Sequence, residues 1–124
     1  MLRPTIEDTK SIKEGVKYFN GLNSFDHVQA IIIKGTRILA TEGKEGTKMM
    51  LSKIKKKSEG ILIKLPKKKQ DLRLDLPTIG LSTLKDCKKY GLKGIVLKSK
   101  KNIFLDKAKC ISFANKNKLF IKVI

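Results

Sequence analysis

Apolar residues along the chain are spaced first as in a helix and then as in strands. Residues 5–21 (TIEDTKSIKEGVKYFNG) open with a capping-box pattern at Thr5 and Asp8, and their apolar side chains recur at helical spacing. VQAIIIK (28–34) and RILATE (37–42) are short apolar runs separated by a Gly-Thr pair. This pattern predicts a helix followed by a β-hairpin.

The order of predicted elements then repeats. Apolar spacing predicts a helix over 45–57 and a buried strand at GILIKLP (60–66), and the same order returns after Gly80. In the second half we expect a helix over 82–90, strands at 94–98 and 102–106, a helix to 117 and a last strand at 119–124. Helices alternating with short strands indicate an α/β protein. We expect one domain over 1–124, in which helices cover a mixed sheet to form a three-layer α/β/α sandwich. An α-β-β-α-β internal duplication joined through 70–77 is a further hypothesis.

The charge of the chain narrows the classes of partner. A net charge of +18 favours polyanions such as nucleic acid, anionic lipid or phosphorylated ligands. However, 26 of the 29 basic residues are lysines spread along the whole chain, and tryptophan is absent. Dedicated nucleic-acid binders favour arginine forks and exposed aromatic rings, so the composition argues against that class.

The sequence also bears on the compartment. It contains no apolar run long enough to span a bilayer and no secretory signal, so we expect a cytoplasmic location. Cys87 and Cys110 fall at apolar helix positions and should be reduced core residues.

The stretch QDLRLDLPTIG (70–80) alternates charged and leucine side chains. On a strand, Asp71, Arg73 and Asp75 would share one face while the leucines face the core. This charged face is either a polar surface whose side chains pair with one another or a functional site. The two aspartate Cα atoms would lie about 13 Å apart on a straight strand, too far for both side chains to bind one metal ion directly. We therefore favour a functional site in which one aspartate takes part directly and the other orients Arg73. Pro77 places Asp75 near the strand end.

A second cluster lies in ATEGKEGTKMM (40–50). Glu42 and Glu45 precede Gly46 and Thr47, where backbone N–H groups at a helix start could hold a phosphate oxygen. The two carboxylates would repel that phosphate unless a divalent ion lay between them. Alternatively, the acids are first-turn residues beside a capping Thr47.

Three segments together resemble a known family: DHVQAIIIKGTRILATEGKEGT, ILIKLPKKKQDLRLDLPTIGLSTL and GLKGIVLKSKKNIFLDKAKCISFANKNKLFIKV. They look like the C-terminal domain of the bacterial UDP-2,3-diacylglucosamine pyrophosphatase of lipid A biosynthesis, from about residue 4 to the end. The motif Q-D-x-R-x-D-x-P-T-[IV]-G, the preceding E-x-x-E-G-T and the strand at Gln29 carry the resemblance. In that family an N-terminal α/β domain precedes this one, and the substrate lies between the two. We therefore expect a partial enzyme that is almost inactive without an N-terminal domain.

The resemblance implies a reaction and site residues. The reaction is metal-dependent hydrolysis of the pyrophosphate, with Mg²⁺ or Mn²⁺, to UMP and 2,3-diacylglucosamine 1-phosphate. Asp75 would be the essential acid, as metal ligand or general base, supported by Asp71 and Arg73. The implied substrate-binding residues are Gln29, Gly46, Thr47, Lys64, Gln70 and Thr78, and the implied metal ligands are Asp75, Glu42 and Glu45.

The implied partners are the UDP-linked diacylglucosamine lipid, the N-terminal domain and the anionic inner-membrane surface, where the protein would be peripheral. A homodimer is an open alternative, and the charge keeps a small basic nucleic-acid-binding module as the alternative function. Two positions depart from the family pattern. Lys48 stands where the pattern has an aspartate after E-G-T, and Lys68 stands where it has a proline. Either change could alter activity while keeping the fold.

Overall fold

The first helix begins at a complete capping box. In the computed structural model, the Thr5 hydroxyl accepts a hydrogen bond from the Asp8 N–H at 3.1 Å, and the Asp8 carboxylate accepts one from the Thr5 N–H at 2.9 Å. These bonds satisfy two N–H groups that a helix start otherwise leaves unpaired. The predicted capping box is therefore confirmed.

The structure describes residues 2–21, 30–42, 46–55, 57–65, 78–98 and 103–124. The helices among them are α1 (Ile6–Asn20), α2 (Thr47–Ser52), α3 (Leu81–Lys89) and α4 (Lys107–Lys116). The strands are β1 (Ala30–Lys34), β2 (Arg37–Thr41), β3 (Ile61–Lys64), β4 (Thr78–Ile79), β5 (Gly94–Leu97), β6 (Ile103–Phe104) and β7 (Phe120–Val123). None of these helices is long and apolar enough to span a membrane.

Five of these strands form one mixed sheet in the order β2-β1-β3-β5-β7. β1 is antiparallel to β2 and β3, as expected for the predicted hairpin, whereas β3, β5 and β7 are parallel. One row of paired residues crosses the sheet: Ala30, Lys64, Leu97 and Val123. β2, β3, β5 and β7 end at this side, which we call the carboxyl edge. The opposite side, at the β1–β2 turn and the starts of β3 and β5, is the far edge.

Two apolar clusters cover the two faces of the sheet. α1 covers one face, where the buried residues include Ile12, Phe19, Ile31, Ile33, Ile63, Val96 and Phe120. α2, α3 and α4 cover the other, where they include Ile32, Met50, Leu51, Leu62, Leu84, Cys87, Ile95 and Cys110. Neighbouring residues of a strand point to opposite faces, so the continuous apolar runs of β1, β3 and β5 supply both clusters. The predicted α/β fold with a three-layer arrangement is confirmed.

The structure differs from the predicted pattern in two places. The helix predicted over 45–57 is only Thr47–Ser52, and positive φ angles follow later at Lys57 and Glu59 (61° and 58°). The α-β-β-α-β order does recur, but the pairing does not. β2 pairs with β1, whereas β6 leaves the main sheet and pairs with β4. The predicted strand within 70–77 lies outside the described residues.

Gly94 tests the packing between the last two strands of the sheet. A Cβ at this position would overlap the buried Phe120 ring, so Gly94→Ala should lower the free energy of unfolding by about 1–3 kcal/mol. Gly21→Ala is the matched control, because the nearest atom to its added Cβ lies at 3.5 Å and the change should stay within about 0.5 kcal/mol. Urea unfolding measures both. Equal losses for the two variants would contradict the close packing at Gly94.

Candidate functional site

Glu42 lies at the carboxyl edge, directly after β2. Its N–H donates to the Ala30 carbonyl oxygen at 2.9 Å, which extends the β1–β2 pairing by one residue, and the residue is 5% exposed. The chain then turns at Gly46 with φ of 90°, a left-handed conformation that favours glycine. This turn starts α2 and brings Thr47 to Glu42, whose Oε1 accepts a hydrogen bond from the Thr47 hydroxyl.

Lys64 ends β3 beside this pair and is also buried, at 8% exposure. Its Nζ donates to Thr47 Oγ1 at 3.1 Å. Because a threonine hydroxyl has one proton and Lys64 cannot accept it, that proton goes to Glu42. Glu42, Thr47 and Lys64 therefore form one directed chain of hydrogen bonds, which we call the candidate cluster. The cluster shields a cation and a carboxylate from bulk water. In this buried environment fixed charges act more strongly than on the surface.

The charge of Lys64 extends into the core, where it acts on Cys87 of α3. Burial raises the pKa of the Cys87 thiol to about 12, with a further increase from Asp86, while a backbone hydrogen bond and the positive charge of Lys64 oppose the shift. Burial and then Asp106 also raise the pKa of Cys110. Both cysteines are free and buried, as predicted. A neutral thiol is a poor nucleophile and a poor metal ligand, so burial suits both cysteines to the core positions predicted for them.

Glu42 also offers an oxygen suited to a cation. Its Oε1 is engaged by Thr47, whereas its second carboxylate oxygen has no partner in the described part of the chain. A buried carboxylate oxygen of this kind fits a divalent metal ion, which prefers such ligands. Within the described ranges, no group of three or more His, Cys, Asp or Glu residues could hold a metal. The other two implied ligands, Glu45 and Asp75, lie outside those ranges.

The predicted site residues thus divide into two sets. Glu42, Gly46, Thr47 and Lys64 come together at the carboxyl edge, and the Thr78 backbone begins β4, paired with Ile103. The predicted residues outside the described ranges are Gln29, Glu45, Gln70, Asp71, Arg73 and Asp75. Their roles stay predictions.

The bond between Lys64 and Thr47 was not predicted. The sequence predicts Thr47 either as part of a phosphate-binding helix start or as a helix cap. In the structure α2 has only six residues, Gly46 is its N-cap, and protein groups engage the Thr47 hydroxyl on both sides. The available signal was Lys64 itself, a lysine in the otherwise apolar run ILIKLP. A charged residue inside a buried strand requires a polar partner, which points to a cluster.

A groove with a volume of about 620 Å³ lies at the far edge, between α1 and the β1–β2 turn. None of the predicted site residues lines it. Glu59 and Lys93, beside the starts of β3 and β5, are among its lining residues. This concave surface is therefore at the other end of the sheet from the candidate cluster. Since ligands of open α/β sheets bind at the carboxyl ends of the strands, we place the candidate site at the cluster and not in the groove.

The fold and the cluster define an α/β domain with a buried charged site at the carboxyl edge of a mixed sheet. The family model described as the LpxI C-terminal domain matches residues 1–122, and the chain belongs to that family. It is an enzyme family of lipid A biosynthesis, so the resemblance noted from the motifs is confirmed at that level. A comparison with curated proteins gives no significant match.

Substitutions at Thr47 test whether its hydroxyl stabilises the candidate cluster. Thr47→Val keeps the shape but removes the hydroxyl, which leaves Glu42 without its donor and Lys64 without this acceptor. We expect a loss of about 1–3 kcal/mol in the free energy of unfolding. Thr47→Ser is the control, because it keeps the hydroxyl and should retain most of the stability. Urea unfolding measures the three proteins. Equal free energies of unfolding for the valine variant and the wild type would contradict a structural role for the hydroxyl.

Cys87 makes stability depend on pH in the alkaline range. The unfolded thiol ionises near 9.0 and the folded one near 12, so between these values the unfolded state binds fewer protons. The stabilising contribution of the neutral thiol is complete below pH 9 and falls above it, by up to about 1.4 kcal/mol per pH unit. Cys87→Ala lacks this dependence. We expect the difference in unfolding free energy between wild type and Cys87→Ala to shrink as pH rises from 8 to about 10.5; a constant difference would be the contrary result.

Proposed function

We propose that the chain is the substrate-binding and catalytic C-terminal domain of a metal-dependent UDP-2,3-diacylglucosamine pyrophosphatase. The reaction is hydrolysis of the pyrophosphate to UMP and 2,3-diacylglucosamine 1-phosphate. Family membership and the motif matches support this reaction class. The observation that carries the proposal is the burial of Lys64, held by Thr47, at the carboxyl edge.

A buried lysine suits the charge changes of pyrophosphate cleavage. An ammonium donates up to three hydrogen bonds, so the bond to Thr47 is compatible with further acceptors such as phosphoryl oxygens. Since α2 and β3 fix the Thr47 hydroxyl, the Lys64 charge is positioned before substrate arrives. Preorganised charge in a site shielded from water is a large source of catalytic stabilisation. In this proposal Lys64 contacts the substrate, while Thr47 positions Lys64 and lines the same site.

Asp75 is the proposed essential acid, as general base or metal ligand, with Asp71 and Arg73 supporting it. The stretch that carries these residues lies between Leu65, which follows β3 at the carboxyl edge, and Thr78, where β4 leads into α3. Both attachments are compatible with action beside the candidate cluster. The full set of proposed substrate-binding residues remains Gln29, Gly46, Thr47, Lys64, Gln70 and Thr78.

Mg²⁺ or Mn²⁺ would be held by Asp75 together with Glu42 and Glu45. The buried second oxygen of Glu42, which has no partner among the described residues, suits this role. When bound, the ion would neutralise charge on the pyrophosphate, so that carboxylates and phosphates can occupy the same site. Lys48, which replaces an acid of the family pattern, adds a cation on α2 next to Thr47 and favours a more anionic ligand.

The family description as a C-terminal domain implies a second, N-terminal domain and a lipid-linked substrate. We propose that this domain supplies the rest of the nucleotide site and that the chain by itself has almost no activity. The protein would act at the cytoplasmic side of the inner membrane, where its substrate resides.

The test joins the chain to an N-terminal domain of the family and measures UMP release from UDP-2,3-diacylglucosamine with Mg²⁺ or Mn²⁺. Asp75→Asn should lower the rate at least about 100-fold, the range typical of a general acid or base. Lys64→Met should also lower it strongly, because the fixed charge is lost. Removal of the metal with a chelator should abolish activity, and added Mg²⁺ or Mn²⁺ should restore it.

Two matched variants control this experiment. Asp106→Asn makes the same chemical change as Asp75→Asn at an exposed position, and Lys34→Met removes a strand-end lysine at the far edge. Both should keep near wild-type rates. Full activity of Asp75→Asn would refute its assignment, and no UMP release from any joined protein would refute the reaction.

A further inference from the structure

The far-edge groove and the carboxyl edge differ in their balance of charges. Lysines and acids are balanced around the far-edge groove, with four of each: Lys10, Lys13, Lys34, Lys93, Glu7, Asp8, Glu14 and Glu59. Two ion pairs lie there, Lys34–Glu59 at 4.0 Å and Lys93–Asp8 at 3.4 Å. The groove itself therefore carries little net charge.

The carboxyl edge is unbalanced. Exposed lysines stand at the start of α2 (Lys48), at the start of α4 (Lys107 and Lys109) and near the end of β7 (Lys122). The exposed acid at this edge, in the part of the chain that the structure describes, is Asp106. The described part of the carboxyl edge is therefore positively charged.

Two exposed aliphatic side chains lie among these lysines. Leu105 precedes α4 and Val123 ends β7, and each is 52% exposed. α4 packs on β7 and reaches it through residues 117–119, so the two elements run in opposite directions and Leu105 lies at the same edge as Val123. We call Leu105, Lys107, Lys109, Lys122 and Val123 the carboxyl rim.

We propose that the carboxyl rim docks on an anionic phospholipid surface, with its lysines against the headgroups and Leu105 and Val123 inserted between them. Each basic residue near an anionic membrane contributes favourably, and aliphatic side chains add to binding by entering the interface. Single-stranded nucleic acid instead requires exposed aromatic rings on which bases stack, and the apolar residues of the rim are aliphatic. The positive charge and the aliphatic side chains of the carboxyl rim therefore favour an anionic lipid surface over single-stranded nucleic acid.

The biological role of this docking rests on the proposed function, because the carboxyl rim would bring the candidate cluster to the membrane that holds a lipid-linked substrate. Its test needs no substrate. Vesicle binding and UMP release are separate measurements, so either idea can fail while the other stands. Asp75→Asn should bind vesicles as the wild type does.

The experiment measures cosedimentation of the full chain with phosphatidylcholine vesicles that contain phosphatidylglycerol, and with pure phosphatidylcholine vesicles. The double variant Lys107→Glu/Lys109→Glu should bind the anionic vesicles at least about tenfold more weakly than wild type. Lys10→Glu/Lys13→Glu is the matched control, because it makes the same charge change on exposed residues of α1 beside the far edge and should change binding much less. Circular dichroism verifies that both fold.

A second pair of variants tests insertion. Leu105→Glu should weaken binding to the anionic vesicles several-fold more than Ile6→Glu, which makes a comparable change at a residue that is 79% exposed and directly precedes Glu7 of the far-edge groove. Equal losses within either pair would mean that binding is diffuse, and the carboxyl rim would be refuted. It would also be refuted if Lys107→Glu/Lys109→Glu weakened binding to a single-stranded oligonucleotide while vesicle binding stayed unchanged, or if the wild type bound pure phosphatidylcholine as well as anionic vesicles.

Discussion

The burial of Lys64 at the end of a central strand is the constraint on which the local structure depends. An ammonium inside an apolar layer is costly unless polar groups surround it. The Thr47 hydroxyl meets this need at 3.1 Å, and Glu42 in turn accepts the hydroxyl proton. The arrangement requires the turn at Gly46, since that turn starts α2 against β3. One charged side chain therefore couples a hairpin strand, a short helix and the centre of the sheet.

The sheet topology explains why this constraint falls at the carboxyl edge. Parallel strands must be joined by crossovers, and the chain returns through α3 and α4 on one face of the sheet. The ends of β3, β5 and β7 and the starts of α3 and α4 consequently share one side of the domain. β2 joins them because β1, its antiparallel partner, starts at that edge. Polar side chains that follow these strands can meet there, whereas the far edge holds turns and ion pairs.

Local features were predictable from the sequence, and distant pairings were not. The capping box at Thr5 and the hairpin at 30–41 depend on neighbours within a few residues, so their patterns were sufficient. The pairing of β4 with β6 joins residues 25 apart in strands of only two residues, a length at which periodicity carries no information. The predicted duplication does not extend to strand pairing, because order along the chain does not determine which strands become neighbours.

The candidate site was likewise predictable as a set of residue types but not as an arrangement. Glu42, Thr47 and Lys64 were all named from motifs, yet the hydrogen bonds that connect them were not predicted, because the fold brings together residues that are distant in the sequence.

The same residue type, lysine, serves two purposes at the carboxyl edge, and its environment decides which. Lys64 is buried and held by a hydroxyl, so its charge has one position and suits recognition of a single phosphoryl group. Lys107 and Lys109 are exposed, and their flexible, strongly hydrated ammonium groups can follow a surface whose charges are spread and mobile. A fixed charge discriminates between ligands, whereas a set of mobile charges attracts a whole class of them. Under the proposed function both are needed, because a single lipid molecule would be taken from a membrane of similar anionic headgroups.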